Sequence, residues 1–287
     1  MAQGYRVRAL VRDTARATTL SAYGVELIEG ELLDQSALAQ LTSGCYALIH
    51  GAGAVRGNCQ EDFDRVNVAG TSAVVEMLMQ HPQPPRMLLL SSVAAGQPQL
   101  SWYAHSKRGG EKLLEAQPGL DWVIVRPPAV YGPGDTEMLP LFQAMYRGIA
   151  LVPGSPESRT SLIHVEDLVE AIIACLCSKD AWHQTLSLGD GRPNGYNWYE
   201  IAEIGAQLWS RRVRVWQIPK VLLNGVAAIN SALAAMTGRA PMLTPPKLRE
   251  LRHPDWVMDN TPIRNATGWE PRIQLCEGLE LLNIPAL

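Results

Sequence analysis

The sequence predicts an α/β protein, a doubly wound parallel sheet with a smaller, mostly helical C-terminal part. Three observations predict it. Apolar or alternating runs recur at 6–12, 25–28, 45–50, 86–90 and 122–125. Segments of helical length separate them, and strands that alternate with helices make a parallel sheet. After Arg126 the alternation loosens.

The elements follow in order. Arg-Val-Arg-Ala-Leu-Val-Arg at 6–12 reads as a strand, and Val-Glu-Leu-Ile at 25–28 and Cys-Tyr-Ala-Leu-Ile-His at 45–50 repeat the pattern after short helical segments. A long helical pattern covers 62–80, and Arg-Met-Leu-Leu-Leu at 86–90 is continuous enough for a buried strand. A helix at 102–117 is stopped by Pro118 and Gly119, and a strand follows at 122–125. Further helices are predicted at 137–147, 166–178, 198–209 and 219–236. No internal repeat stands out.

With 287 residues and 47% hydrophobic content, the chain can bury a sizeable core and is expected to form one large or two modest domains. A net charge of -3 argues against a nucleic-acid partner. The basic run Ser-Arg-Arg-Val-Arg at 210–214 alternates with Val213, as a solvated strand or edge does. Cys45, Cys59, Cys175, Cys177 and Cys276 show no zinc spacing and are odd in number, so no metal and a reducing, cytoplasmic setting are expected. The apolar stretch 221–236 is broken by Asn224 and Asn230 and is too short for a bilayer of ~30 Å. A buried or lid helix is expected there, and no membrane span.

Chemistry concentrates in Tyr-Ala-His-Ser-Lys at 103–107. Tyr103 and Lys107 are four residues apart, hence on one face of a helix, where the ammonium is expected to lower the phenol's pKa. Such a pair arises by accident roughly 0.14 times in a chain of this composition. Its setting is more specific: a strand ending in Ser91 and Ser92, the Tyr-Lys helix, a second strand, then Arg-Pro-Pro-Ala-Val-Tyr-Gly-Pro-Gly-Asp at 126–135. Lys107 is also the first lysine of a chain whose basic residues are mostly arginine.

This order resembles the extended short-chain dehydrogenase/reductases, the NAD-dependent epimerase/dehydratase family, over nearly the whole chain. The resemblance implies a Rossmann-like fold. A cofactor domain would span 1–126 plus about 160–190, and a substrate domain 127–159 plus 191–287. It implies that Tyr103 exchanges a proton with substrate, that Ser92, with Ser91 as the alternative, hydrogen-bonds the reacting oxygen, and that Lys107 binds the nicotinamide ribose. It also puts Pro128, Gly51, Ala52 and Gly53 beside the cofactor. An ordinary glycine turn at 51–57 is the other reading.

Arg12 stands at the end of the strand at 6–12, where an arginine accommodates the 2'-phosphate of NADP; a plain surface arginine is the other reading. NADP is therefore expected, with NAD kept open by Asp13. Glu31 and Leu32 resemble an Asp-hydrophobic pair beside adenine. The family's Gly-rich strand and turn would lie some ~30 residues before Met1, so Met1 is expected to be an internal methionine. Loss of that central strand would separate its neighbours.

Val93 to Gly96 offer no Asp-Glu pair, which argues against dehydration, and Ala129 stands where many nucleotide-sugar epimerases carry Asn. The expectation is alcohol and ketone interconversion on a small, fairly apolar substrate. An epimerase of the same family and a non-catalytic dinucleotide sensor or assembly protein are the alternatives, and a homodimer stays open. His164 and Asp167 are expected as loop contact and helix cap, and Trp256 and Trp269 as packing elements.

Overall fold

A computed structural model describes residues 4–237 and 243–284, with side chains of the first span described to Asn230. The Met1 expectation therefore lies outside the described residues. The first half runs β1 (Arg8–Val11), α1 (Thr18–Ala22), β2 (Glu26–Glu29), α2 (Gln35–Thr42) and β3 (Ala47–His50). Next come α3 (Gln60–Asp64), a π-helical turn (Arg65–Ala69) and α4 (Gly70–Met79), then β4 (Arg86–Leu90), α5 (Trp102–Glu115) and β5 (Trp122–Arg126).

β4 and β5 are central because both of their faces are apolar. Side chains alternate across a strand. Met87, Leu89, Trp122 and Ile124 join one core with Leu38, Leu78 and Leu114, while Leu88, Val123 and Val125 join a second with Leu168 and Leu186. Each fully buried leucine contributes about 1.5–3 kcal/mol.

After β5 follow β6 (Ala129–Tyr131), α6 (Leu139–Tyr146), β7 (Ile149–Val152), β8 (Arg159–Thr160), β9 (Leu162–His164), α7 (Val165–Cys177) and β10 (Gln184–Ser187). The chain ends in α8 (Trp198–Leu208), β11 (Arg214–Gln217), α9 (Lys220–Thr237), α10 (Pro245–Leu251), β12 (Asp255–Trp256), α11 (Thr261–Thr267) and α12 (Leu275–Leu281). A third core, around Tyr131, Phe142, Met145, Tyr196 and Ile201, belongs to this half.

All strand ladders among the described residues are parallel. Four strands form the sheet β10-β5-β4-β3, and β1 pairs with β2 separately. The two sheets are not hydrogen-bonded to each other. They share a core nonetheless, since Leu10 of β1 packs against the cluster containing Leu48 of β3.

The later half is mostly helical, as expected, and also holds three two-stranded sheets, β6-β9, β7-β11 and β8-β12. Their strands hold two to four residues, too few for a period-2 pattern to register. The helix predicted at 219–236 forms as α9 but is not a buried one. Leu223 and Ala227 are buried, whereas Val221, Leu222, Val226 and Ile229 face solvent.

Candidate active site

Helix α5 begins where its sequence says it should. Ser101 is extended and its hydroxyl accepts from the Ala104 amide at 3.0 Å, satisfying one free donor of the helix start. Tyr103 and Lys107 then stand one turn apart, beside the C-terminal end of β4. The Lys107 ammonium donates to the carbonyl of Leu90, the last residue of that strand, at 2.6 Å. Ser92, two residues on, is extended, and its hydroxyl accepts from the Ala94 amide at 3.2 Å. The same hydroxyl acts on the Tyr103 phenol, favouring its ionised form.

The neighbouring serine does something else. Ser91 donates to the Glu111 carboxylate at 2.6 Å, inside the protein. Of the two candidate serines, only Ser92 stands beside the phenol.

Burial dominates the electrostatics. It pushes the Tyr103 phenol up to about 12; the Ser92 hydroxyl opposes this and the charge of Glu250 adds to it. Burial pulls Lys107 down to about 8, with Glu111 acting against it. His50, buried at the end of β3, is brought down to about 4 by desolvation and then by Lys107. The expectation that Lys107 lowers the phenol's pKa is thus not met. Helical spacing makes the two neighbours, but the ammonium is directed at the Leu90 carbonyl, and desolvation outweighs what remains.

The loop after β3 holds Gly51, Ala52 and Gly53, all exposed. A Cβ on Gly53 would stand 3.2 Å from the Asn67 Oδ1 and 3.6 Å from the Lys107 Nζ, so this backbone passes close to the ammonium. Asn67 is a residue that sequence reasoning missed. Its side chain accepts from the Ala54 amide at 2.8 Å and donates to the Ala54 carbonyl at 3.0 Å and to the Ser106 hydroxyl at 2.8 Å. It sits in the π-helical turn, a feature frequent at functional sites, and staples the loop to α5. Gly110 lets the helices meet, since a Cβ there would lie 2.6 Å from the Asn67 carbonyl oxygen.

The remaining candidates lie on other elements. Arg12 is exposed just past β1, while Asp13 accepts from the Ala15 amide at 2.9 Å as a cap. Glu31 is exposed after β2, and Leu32 packs over Gly70. Pro128 is buried just after β5. His164 caps α7 by accepting from the Glu166 amide at 3.4 Å, and Asp167 accepts from the Arg272 and Ile273 amides. Trp269 is buried in the second core. The Trp256 indole donates to the Glu250 carbonyl at 3.2 Å. Among the described residues no cluster of His, Cys, Asp or Glu suits a metal.

Helix α10 covers the phenol from the C-terminal half, a second contribution the sequence did not reveal. The Lys247 ammonium lies 5.3 Å from the Tyr103 ring centre and pairs with Glu250, which accepts from Ser101 at 2.6 Å. The narrow cleft between them is walled mainly by Val55, Phe63, Trp102, Thr244 and Pro246.

These residues fit the nicotinamide ribose end of a dinucleotide. Lys107 is buried, and its ammonium has three donors of which one is used by Leu90. It faces a glycine loop at the C-terminal ends of parallel strands, where such folds bind their ligands. The NAD dependent epimerase/dehydratase family model matches residues 1–189, and the chain belongs to that family. It is an NAD(P)-dependent enzyme with a Rossmann fold.

The chain is 36% identical to a ceramide reductase from Caulobacter vibrioides over 96% of this chain and 84% of the relative. It is 26% identical to the 4-hydroxy-2-methyl-3-oxo-4-farnesyl-3,4-dihydroquinoline-1-oxide ketoreductase of Stigmatella aurantiaca, over 98% of this chain and 90% of the relative. The fold matches the UDP-glucuronic acid 4-epimerase of Bacillus cereus, solved with UDP-glucuronic acid and NAD, with a TM-score of 0.75. That match has 15% identity and covers 99% of this chain and 92% of the other. Among the described residues no helix is long and apolar enough to cross a membrane.

Proposed function

We propose that this chain is a ketoreductase that interconverts a ketone and an alcohol on an apolar, lipid-like substrate, with NADP(H) preferred over NAD(H). The placement of Ser92, Tyr103 and Lys107 together at the C-terminal end of β4, with Tyr103 lining a narrow cleft, carries the reading. The reduced nicotinamide, when bound, supplies a hydride to the carbonyl carbon. Ser92 and Tyr103 hold the carbonyl oxygen by hydrogen bonds, and Tyr103 gives it a proton as the C=O π bond becomes an O–H bond. A phenol pushed up to about 12 is protonated at neutral pH, as a donor must be.

Lys107 would bind the ribose hydroxyls, and Gly51, Ala52, Gly53 and Pro128 would line the cofactor. Arg12 would take the 2'-phosphate, with Glu31 and Leu32 beside the adenine. The cofactor part is assigned to 1–126 plus about 160–190, and the substrate part to 127–159 plus 191–287. The reductases among the relatives support a carbonyl substrate, and their printed substrates, a ceramide and a farnesyl quinoline, support an apolar one.

The test is a screen of long-chain and prenylated ketones with NADPH and NADH, followed at the nicotinamide absorbance. Tyr103→Phe should bind NADPH as the parent does and lose about 100-fold or more in turnover. The reading fails if the parent binds neither nucleotide, or converts only nucleotide sugars with no net change in the nicotinamide.

A further inference from the structure

Residues 204–249 carry seven lysines and arginines and no carboxylate, in a chain whose net charge is -3. The rest of the molecule is therefore strongly acidic, and this stretch is a separate cationic zone. Arg211, Arg212, Arg214 and Lys220 are all exposed. No salt bridge engages them among the described residues. Arg211 stacks 4.2 Å from the centre of the Tyr146 ring, which anchors the start of the zone.

The same zone turns large apolar side chains to solvent. In the β7-β11 pair, Ile149 lies beside Arg214 and Leu151 beside Trp216. Residues two apart on a strand share a face, so Ile149, Leu151 and Trp216 form one outer surface. Trp216 is 65% exposed. Helix α9 begins three residues after β11 and continues the pattern. Val221, Leu222, Val226 and Ile229 share one side of that helix and are exposed, at 85% for Val221 and 61% for Ile229. Its other side buries Leu223 and Ala227 in a small core with Leu248 of α10.

We infer that the outer face of β7-β11 and the exposed side of α9 dock on the surface of an anionic phospholipid bilayer. An apolar helix face with an adjoining tryptophan and a basic rim is the make-up of a helix that lies in the membrane interface. The four cations would meet lipid phosphates while the apolar side chains enter the headgroup boundary. A second copy of the chain is the poorer occupant. A twofold contact would set this cationic zone against itself, with no carboxylate in either stretch to pair with it. The inference is independent of the proposed reaction, since vesicle binding is read without substrate or nucleotide.

The test is flotation of the whole chain with vesicles of phosphatidylcholine alone or with about 30% phosphatidylglycerol. At low salt, binding to the anionic vesicles should exceed binding to the neutral ones by about tenfold or more, and fall as salt is raised. Replacing Arg212, Arg214 and Lys220 together by Gln should weaken it by about a hundredfold. A second variant combining Trp216→Ser, Val221→Ser and Ile229→Ser should also release the protein. All six side chains are exposed, so circular dichroism and thermal midpoint should stay those of the parent. The inference is overturned if the parent ignores anionic vesicles, if both variants bind as the parent does, or if the apolar variant instead dissolves a lipid-free dimer.

Discussion

The Ser91 hydroxyl donates to the Glu111 carboxylate at 2.6 Å, tying the end of β4 to the middle of α5. Arg126, at the end of β5, closes the tie with two bonds to the same carboxylate at 2.7 and 2.6 Å, and Arg108 adds a third contact at 3.0 Å. The elements that carry Ser92, Tyr103 and Lys107 are thus clamped through one carboxylate with no solvent exposure. Because successive residues of extended chain point to opposite sides, a buried Ser91 leaves Ser92 free to face the phenol.

Glu111→Gln should therefore cost stability and disturb the site together. Burial opposes ionisation of Glu111, but Arg126, Ser91 and Arg108 overcome it and hold the carboxyl below its ordinary value. The parent gains from this clamp at pH values above the ordinary carboxylate range and loses it as pH falls through the lower folded value. Urea unfolding at neutral pH should show a loss of about 2–4 kcal/mol, since Arg126 keeps its charge without a full partner. The gap between variant and parent should narrow in acid. A pH-independent gap would show that packing, not charge, makes the clamp.

Lys107→Met is expected to abolish activity and yet stabilise the folded chain at neutral pH. Burial brings the Lys107 ammonium down to about 8 from its ordinary 10.5, so the folded state holds this proton less tightly than the unfolded chain does. The parent's stability should rise as pH climbs from about 8 towards 10.5, and below that window the charged ammonium is a cost. Removing it should yield about 1–3 kcal/mol at pH 7 in urea unfolding, the sign of a functional group kept against stability. A destabilised variant would mean that the bond to the Leu90 carbonyl outweighs the desolvation.

Much of this arrangement was legible in the sequence, for local reasons. The runs at 86–90 and 122–125 stood out because β4 and β5 are buried on both faces, and the Tyr103 and Lys107 spacing sets their helical neighbourhood directly. Asn67 gave no such signal, because its reach to Ala54 and Ser106 depends on a π-helical turn that no residue pattern marks. Glu250 and Ser101 meet across 149 residues, a contact only the folded chain creates. Spacing also misjudged the acidity of Tyr103, since it reports which groups are near and not how much water each has lost.

That distant carboxylate supplies a last prediction. Burial is the main cause of the raised Tyr103 value, and the Glu250 charge raises it further. Glu250→Gln removes the charge while keeping an acceptor for the Ser101 hydroxyl, and it leaves the Lys247 ammonium over the ring without its carboxylate. Both changes favour the phenolate. Tyr103 should therefore titrate at lower pH in the variant, seen as phenolate absorbance that vanishes when Tyr103→Phe is added to each background. Neutral-pH stability should fall by about 1 kcal/mol as charge-assisted bonds become neutral ones. In the reductive direction the alkaline limb of the pH-rate profile should move the same way, because an ionised phenol has no proton to give. An unmoved Tyr103 titration would show that Glu250 holds α10 in place without acting on the phenol.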